Sequence, residues 1–287
     1  MAKGRRMPSV AILFPGQGCL TPDAGPQARA RWPELVDRAG ELLGADPFDA
    51  AQATTASAQP AIFVASLAAW RELDIAPGDV CAMAGHSLGE YTALAAAGAL
   101  DTDDALRLTV LRGELMARAA RRHPGGGMVA LLGGGLERAT RLAAEHGVTV
   151  ANDNAPGQLV ASGAGAGLRA LAAAARTEGF KTMELDVAGA FHSPDMRDAV
   201  LPLRRALERT LVGEPRVTVI SGVTARPFVD LPGELSRAVV APVRWREVMQ
   251  TLYAVGAEEF VDVGPGKVLA RLVKRNPPSE VKRGVAA

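Results

Sequence analysis

Cysteine is nearly absent from this chain, with Cys19 and Cys81 the only two among 287 residues. Two such thiols match no disulfide framework and no metal-ligand spacing, so no metal is expected, and they fit a reducing compartment. Neither charge sign is in excess. The 32 basic and 31 acidic residues leave a formal charge of +1, so nothing global points to nucleic acid or an anionic membrane as partner. Any electrostatic recognition is therefore local. Long apolar runs are also missing, since no stretch approaches the ~18 residues of a membrane span. Lys3, Arg5 and Arg6 precede only the short apolar run Val10 to Phe14, below the roughly 7 to 15 residues of a signal-peptide core. These absences predict a cytoplasmic globular protein.

What is present suffices to bury a large core, because 48% of the residues are hydrophobic and 22% charged. That bounds the chain to one large domain or a domain with a subdomain. Short apolar runs between glycines and prolines predict strands at Ser9 to Phe14, Val80 to Met83, Arg216 to Ile220 and Glu259 to Val263. Helical periodicity marks Gln59 to Leu73, Asp101 to Arg122 and Pro194 to Thr210. The alternation predicts a mostly parallel sheet flanked by helices. After the last strand, Val263 to Lys267 forms a glycine turn that is open to two readings, a phosphate contact or a tight structural turn.

The middle of the chain has another pattern. Gly125, Gly126 and Gly127 open a run of strand (Met128 to Leu132), helix (Leu136 to His146), strand (Val148 to Ala151), strand (Gln158 to Ser162), helix (Leu168 to Gly179) and strand (Lys181 to Val187). Such a βαββαβ unit predicts a ferredoxin-like subdomain over 125–192, inserted between core segments 1–124 and 193–287. The polar tail 276–287 is expected to fray.

Gly85-His86-Ser87-Leu88-Gly89 spells GxSxG directly between an apolar run and the helical run Glu90 to Ala97. A strand meeting a helix through so sharp a turn projects the central serine at the mouth of the sheet. The helix N-terminus behind it, with the Leu88 N–H, can face the negative charge of a tetrahedral intermediate. Serine needs a base, for which histidine is the usual choice, and the chain has four. His86 adjoins the serine and is expected to point away. His123 and His146 sit at helix ends, which leaves His192 in the loop Gly189 to Pro194, with a helix-capping role as its bland alternative.

Asp101 is the expected N-cap of its helix, and Leu108, Leu115, Met116 and Ala119 form its apolar face. Arg112 falls in the middle of that face. It must meet an anion, either a protein carboxylate such as Glu90 or a substrate carboxylate gripped by both arms of the guanidinium.

Together these residues resemble the malonyl-CoA:acyl carrier protein transacylase family, which includes the acyltransferase domains of fatty acid and polyketide synthases. The resemblance runs from about Val10 to Lys274. It is carried by Phe14 to Gly18 (FPGQG), Gln59-Pro60, Gly85 to Glu90 (GHSLGE), Leu111 to Gly113 (LRG), Asn154 to Gln158, Gly189 to Pro194 (GAFHSP), Pro242 to Trp245 (PVRW) and Val263 to Lys267 (VGPGK). It implies an α/β-hydrolase-like parallel-sheet core with a ferredoxin-like subdomain. Ser87 is then the acylated nucleophile, His192 its base held by backbone carbonyl, and the Gln17 and Leu88 N–H groups the oxyanion hole, while Arg112 binds the malonyl carboxylate.

The implied reaction carries malonyl from coenzyme A, a substrate and not a cofactor, to the thiol of an acyl carrier protein, with a monomer as the family expectation. Phe191 resembles the malonyl-preferring type. Cys19 and Leu20 after Gly18, TVISGVT at Thr218 to Thr224 and the stretch Ser236 to Val240 depart from the usual pattern. These departures leave open a trans-acting polyketide enzyme with an unusual extender unit or a carrier-bound donor. Basic residues at Arg118, Arg121 and Arg122, at Arg204 and Arg205, and at Lys274 and Arg275 are candidate carrier contacts.

Overall fold

The computed structural model describes residues 9–49 and 54–279; the expectations about Lys3, Arg5, Arg6 and the last eight residues lie outside them. The larger unit opens with β1 (Val10–Phe14), α1 (Ala24–Arg31), α2 (Pro33–Leu43), α3 (Thr55–Arg71), β2 (Val80–Gly85), α4 (Gly89–Ala97) and α5 (Thr102–Arg122). A second unit follows, with β3 (Gly126–Leu132), α6 (Leu136–Glu145), β4 (Thr149–Ala155), β5 (Gln158–Ala164), α7 (Gly165–Thr177) and β6 (Lys181–Leu185). The chain then returns through α8 (Arg197–Leu207), β7 (Val219–Ile220), α9 (Leu231–Arg237), α10 (Trp245–Ala254), β8 (Glu259–Asp262) and α11 (Val268–Arg275).

Two sheets result. One is parallel, in the order β7-β2-β1-β8, and the other is antiparallel, in the order β4-β5-β3-β6. The central β1 is apolar at every position and buried on both faces, as a strand covered by helices on two sides requires. The fold is α/β, as the alternation of elements predicted.

The two units are joined by more than the chain crossings. Asp153 N–H donates to the Val243 carbonyl and Val243 N–H to that of Ala151, so the edge of β4 is extended by the Pro242 to Arg244 segment of the larger unit. Beside this seam Arg246 donates to Asp153 at 2.9 Å, and the Asp153 side chain is only 6% exposed. The seam fixes one wall of the cleft between the units.

Several elements differ from the sequence reading. α3 starts at Thr55, four residues before Gln59, because Thr54 caps it by accepting from Ser57 N–H, and Pro60 lies inside the helix. A proline there looks like a helix start in sequence, yet its only hydrogen-bond cost is the Ala56 carbonyl that loses a partner. The predicted strand from Arg216 shrinks to Val219–Ile220, which pairs with Met83 and Ala84 of β2 and through one isolated bridge with Pro227. The predicted helix from Pro194 opens as a short 3₁₀ turn, with the α-helix proper spanning Arg197–Leu207. The glycine turn after β8 is a packing device, since a Cβ on Gly264 would lie 2.6 Å from Ser66 Oγ and one on Gly266 2.7 Å from the Cys19 carbonyl. The expected fraying is corrected at the start of the tail: Asn276 is fully buried, its Nδ2 donating to the Asn154 and Leu272 carbonyls, and Ser279 donates to Gln250.

Candidate active site

The turn from β2 into α4 is tight enough to exclude side chains at both of its glycines. A Cβ on Gly85 would sit 1.9 Å from Gly89 C, and one on Gly89 2.1 Å from the Phe14 carbonyl. Between them Ser87 adopts φ 54°, the left-handed region that costs a non-glycine residue strain. The hydroxyl thus stands at the N-terminus of α4. Neither the Leu88 nor the Gln17 N–H has a protein acceptor among the described residues, and both residues line the same cavity of about 570 Å³ as Ser87.

Opposite lies His192, also at positive φ (57°) and 5% exposed. Its loop is pinned by Ser193, whose Oγ donates to the Ala190 carbonyl at 2.6 Å and accepts from Asp195 N–H. Gly189 lets this loop rest on α5, where a Cβ would come 2.6 Å from that of Ala120. His192 Nδ1 donates to the Ala238 carbonyl at 2.7 Å and to that of Ala241 at 3.2 Å. That assigns the proton to Nδ1 and leaves Nε2 free to accept from Ser87 Oγ, 2.8 Å away. Burial first, and the Arg112 cation second, pull the imidazole down to about 3, so the ring is neutral and basic-form at neutral pH. A serine hydroxyl held in this way can lose its proton as it attacks.

Of the other three histidines, two sit at helix ends as the sequence suggested, while His86 lines the same cavity as Ser87. His146 and His123 are the residues following α6 and α5. His86 Nε2 hydrogen-bonds Asn154 Oδ1 at 2.8 Å, across to the smaller unit, and its ring packs on Trp245.

Arg112 is 2% exposed and forms no ion pair with any carboxylate among the described residues. It donates to Gln59 Oε1 at 2.6 Å and to Ser87 Oγ at 2.9 Å, while its Nε is without a partner. Glu90, the protein carboxylate that could have neutralised it, instead accepts Gly222 N–H at 2.7 Å, and burial pushes its carboxyl up to about 8. A guanidinium surrounded by neutral partners holds an uncompensated charge in low dielectric, and desolvation lowers its pKa accordingly. The site therefore holds an uncompensated cation within hydrogen-bond distance of the Ser87 hydroxyl.

Residues 40–285 match the sequence model of the acyl transferase domain family. The chain is 37% identical over 291 residues to a malonyl CoA-acyl carrier protein transacylase of Bacillus subtilis, covering 94% of this chain and 90% of that one. The chain belongs to the malonyl-CoA:acyl carrier protein transacylase family. Membership makes it an acyltransferase. It is also 37% identical over 293 residues to the polyketide biosynthesis protein ThaF of Burkholderia thailandensis, where the match covers 96% of this chain and spans a quarter (25%) of ThaF. Among solved structures, the malonyl-transacylase PlMCAT, in complex with its type II PKS acyl-carrier protein AntF, superposes with a TM-score of 0.86 at 31% identity, covering 93% of each chain.

All five residues singled out from the sequence, Gln17, Ser87, Leu88, Arg112 and His192, line one cavity. Sequence reasoning gave no role to Gln59, which orients Arg112, and passed over Thr55 and the carbonyls of Ala238 and Ala241. Gln59 and Thr55 had a signal, since residues four apart share a helix face. For the two carbonyls the resemblance implied only that a backbone carbonyl holds His192, not which residues supply it, because any residue can.

Proposed function

We propose that this protein transfers a malonyl group from coenzyme A to the phosphopantetheine thiol of an acyl carrier protein through an acyl-serine on Ser87, without a cofactor. The observation that carries the reading is Arg112, buried with no carboxylate partner among the described residues and 2.9 Å from Ser87 Oγ. A malonyl thioester brings the missing anion, and two N–H groups of one guanidinium fit its carboxylate.

In the first half-reaction Ser87 Oγ attacks the thioester carbonyl, and its proton passes to His192 Nε2. The oxyanion is met by the Gln17 and Leu88 N–H groups. Collapse breaks the C–S bond, and the proton on His192 leaves with the coenzyme A thiol. The second half-reaction is the reverse with the carrier thiol as nucleophile. His192 is oriented by two carbonyl dipoles and not by a carboxylate, a weaker stabiliser of imidazolium than the aspartate of a serine hydrolase.

The polyketide assignment is a second reading, supported by the relatedness to ThaF. Intact-mass measurement tests both. Malonyl-CoA is expected to leave a malonyl adduct that disappears in Ser87→Ala and is discharged by holo carrier protein. Discharge by polyketide carriers alone favours the second reading, an acetyl adduct in place of malonyl makes Arg112 structural, and no adduct from malonyl-, methylmalonyl- or acetyl-CoA overturns the malonyl-CoA reading and points to the polyketide enzyme with another donor.

A further inference from the structure

α3 and α5 place a chain of polar side chains beneath the site whose direction is fixed at one end. Arginine only donates. Arg112 therefore claims Gln59 Oε1 as acceptor, 2.6 Å away, and the Gln59 amide must present Nε2 on its other side. That Nε2 donates to Thr55 Oγ1 at 3.0 Å. The Thr55 hydroxyl, having accepted there, donates to Gln17 Oε1 at 2.9 Å. Arg112 and Gln17 are the two ends, and they belong to different halves of the chemistry, one reading the acyl carboxylate and the other offering its backbone N–H to the oxyanion.

Thr55 is 1% exposed and stands in the first turn of α3. Gln17, by contrast, lies in an exposed turn after β1, and the Thr55 bond is its one side-chain tether among the described residues. The helices meet closely here because residue 113 has no side chain: a Cβ on Gly113 would lie 3.0 Å from Ala56 Cα and from the Ala56 carbonyl. A hydroxyl is the one small group that both accepts and donates, so neither valine nor alanine can hold both glutamines.

We infer that Thr55 is a positioning residue that couples the carboxylate-reading Arg112 to the oxyanion loop at Gln17, so that acyl selection and oxyanion stabilisation are set by one buried hydroxyl. The inference rests on the roles proposed above for Arg112 and Gln17. Removing the hydroxyl leaves Gln59 Nε2 buried with only the weak thioether acceptor Met116 Sδ, 3.5 Å away, loosens the hold of the Gln59 amide on Arg112, and frees the Gln17 loop.

The test compares Thr55→Val, which keeps the shape, with Thr55→Ser, which keeps the hydroxyl. Two readouts are taken on each: the ratio of kcat/KM for malonyl-CoA over acetyl-CoA, and the rate at which a fluorophosphonate labels Ser87. Thr55→Val is expected to lower the malonyl-over-acetyl ratio about tenfold, the size of one lost buried hydrogen bond, and to slow Ser87 labelling. Thr55→Ser should restore both to within about twofold of wild type at an unchanged melting temperature. A lower melting temperature with the ratio and the labelling rate intact would make Thr55 a packing residue and overturn the inference. Equal losses for malonyl and acetyl would overturn the coupling. If wild-type protein labels at Ser87 but accepts no malonyl group, the proposed function fails while the labelling arm still decides whether Thr55 governs the oxyanion loop.

Discussion

Two charged or chargeable side chains within reach of one hydroxyl set the pH behaviour of the site. His192 is held at about 3, below its ordinary 6.5, by burial first and by the Arg112 cation second. A substrate carboxylate beside Arg112 offsets the second cause, so loading the enzyme raises the imidazole pKa. Protonation of His192 abolishes the base, which makes it the acidic limb of activity. That limb is expected at higher pH in kcat, which reports the loaded enzyme, than in kcat/KM, which reports the free one. Arg112→Gln should bring the two limbs together. Coincident limbs in the wild type, measured by pH–rate profiles, would show that Arg112 and the carboxylate do not meet. Ser87, His192 and Arg112 could be singled out in the sequence as chemically distinctive side chains in short motifs, Leu88 by its place at the elbow, and Gln17 through the family resemblance alone. The spacing of Gln59 and Thr55 placed them on one helix face, but which neighbour each hydrogen bond faces is decided only by the folded helices.

At the scale of elements, the site depends on how close α3 and α5 can come. Gly113, the residue after Arg112, faces Ala56 and the Thr55 carbonyl, where an added Cβ would meet backbone atoms at 3.0 to 3.1 Å. Backbone cannot rotate aside as a side chain can. Gly113→Ala is therefore expected to separate the helices by a few tenths of an ångström and to destabilise the fold by about 1–3 kcal/mol, the usual cost of overpacking. It should also weaken malonyl transfer more than acetyl transfer, because Arg112 moves with its helix. Thermal unfolding and the two kcat/KM values check this, and a stable variant with an unchanged ratio would refute it. The elements themselves were read from the sequence where apolar runs were unbroken, as in β1, and where caps were explicit, as in Asp101, whose side chain accepts from Asp103 N–H. They were misread where a local signal was overridden. Pro60 imitated a helix start, whereas the cap is Thr54, six residues earlier, and β7 is held by tertiary pairing too brief to leave a pattern.

The whole molecule presents its cavity between two units, and under the proposed function a carrier protein delivers a thiol into it. Carrier proteins are expected to offer acidic surface, so unpaired cations beside the cleft are the natural contacts. Of the clusters noted in the sequence, Arg122 pairs with Asp198 and Arg204 with Glu208. On α11 the situation differs. Val268, Leu269 and Leu272 form part of the cavity wall, and Arg271 and Lys274 lie exposed on the same helix with no carboxylate partner among the described residues. Val268, itself 39% exposed, adds an apolar contact at the rim. Arg271→Glu with Lys274→Glu is expected to raise the KM for holo carrier protein by about tenfold or more, an effect that shrinks with added salt. The KM for malonyl-CoA and the extent of Ser87 acylation should stay near wild type, because neither side chain reaches the elbow. Equal increases in both KM values would assign α11 to the coenzyme A phosphates, and no change in either would move the carrier to the free end of α5 at Arg118 and Arg121.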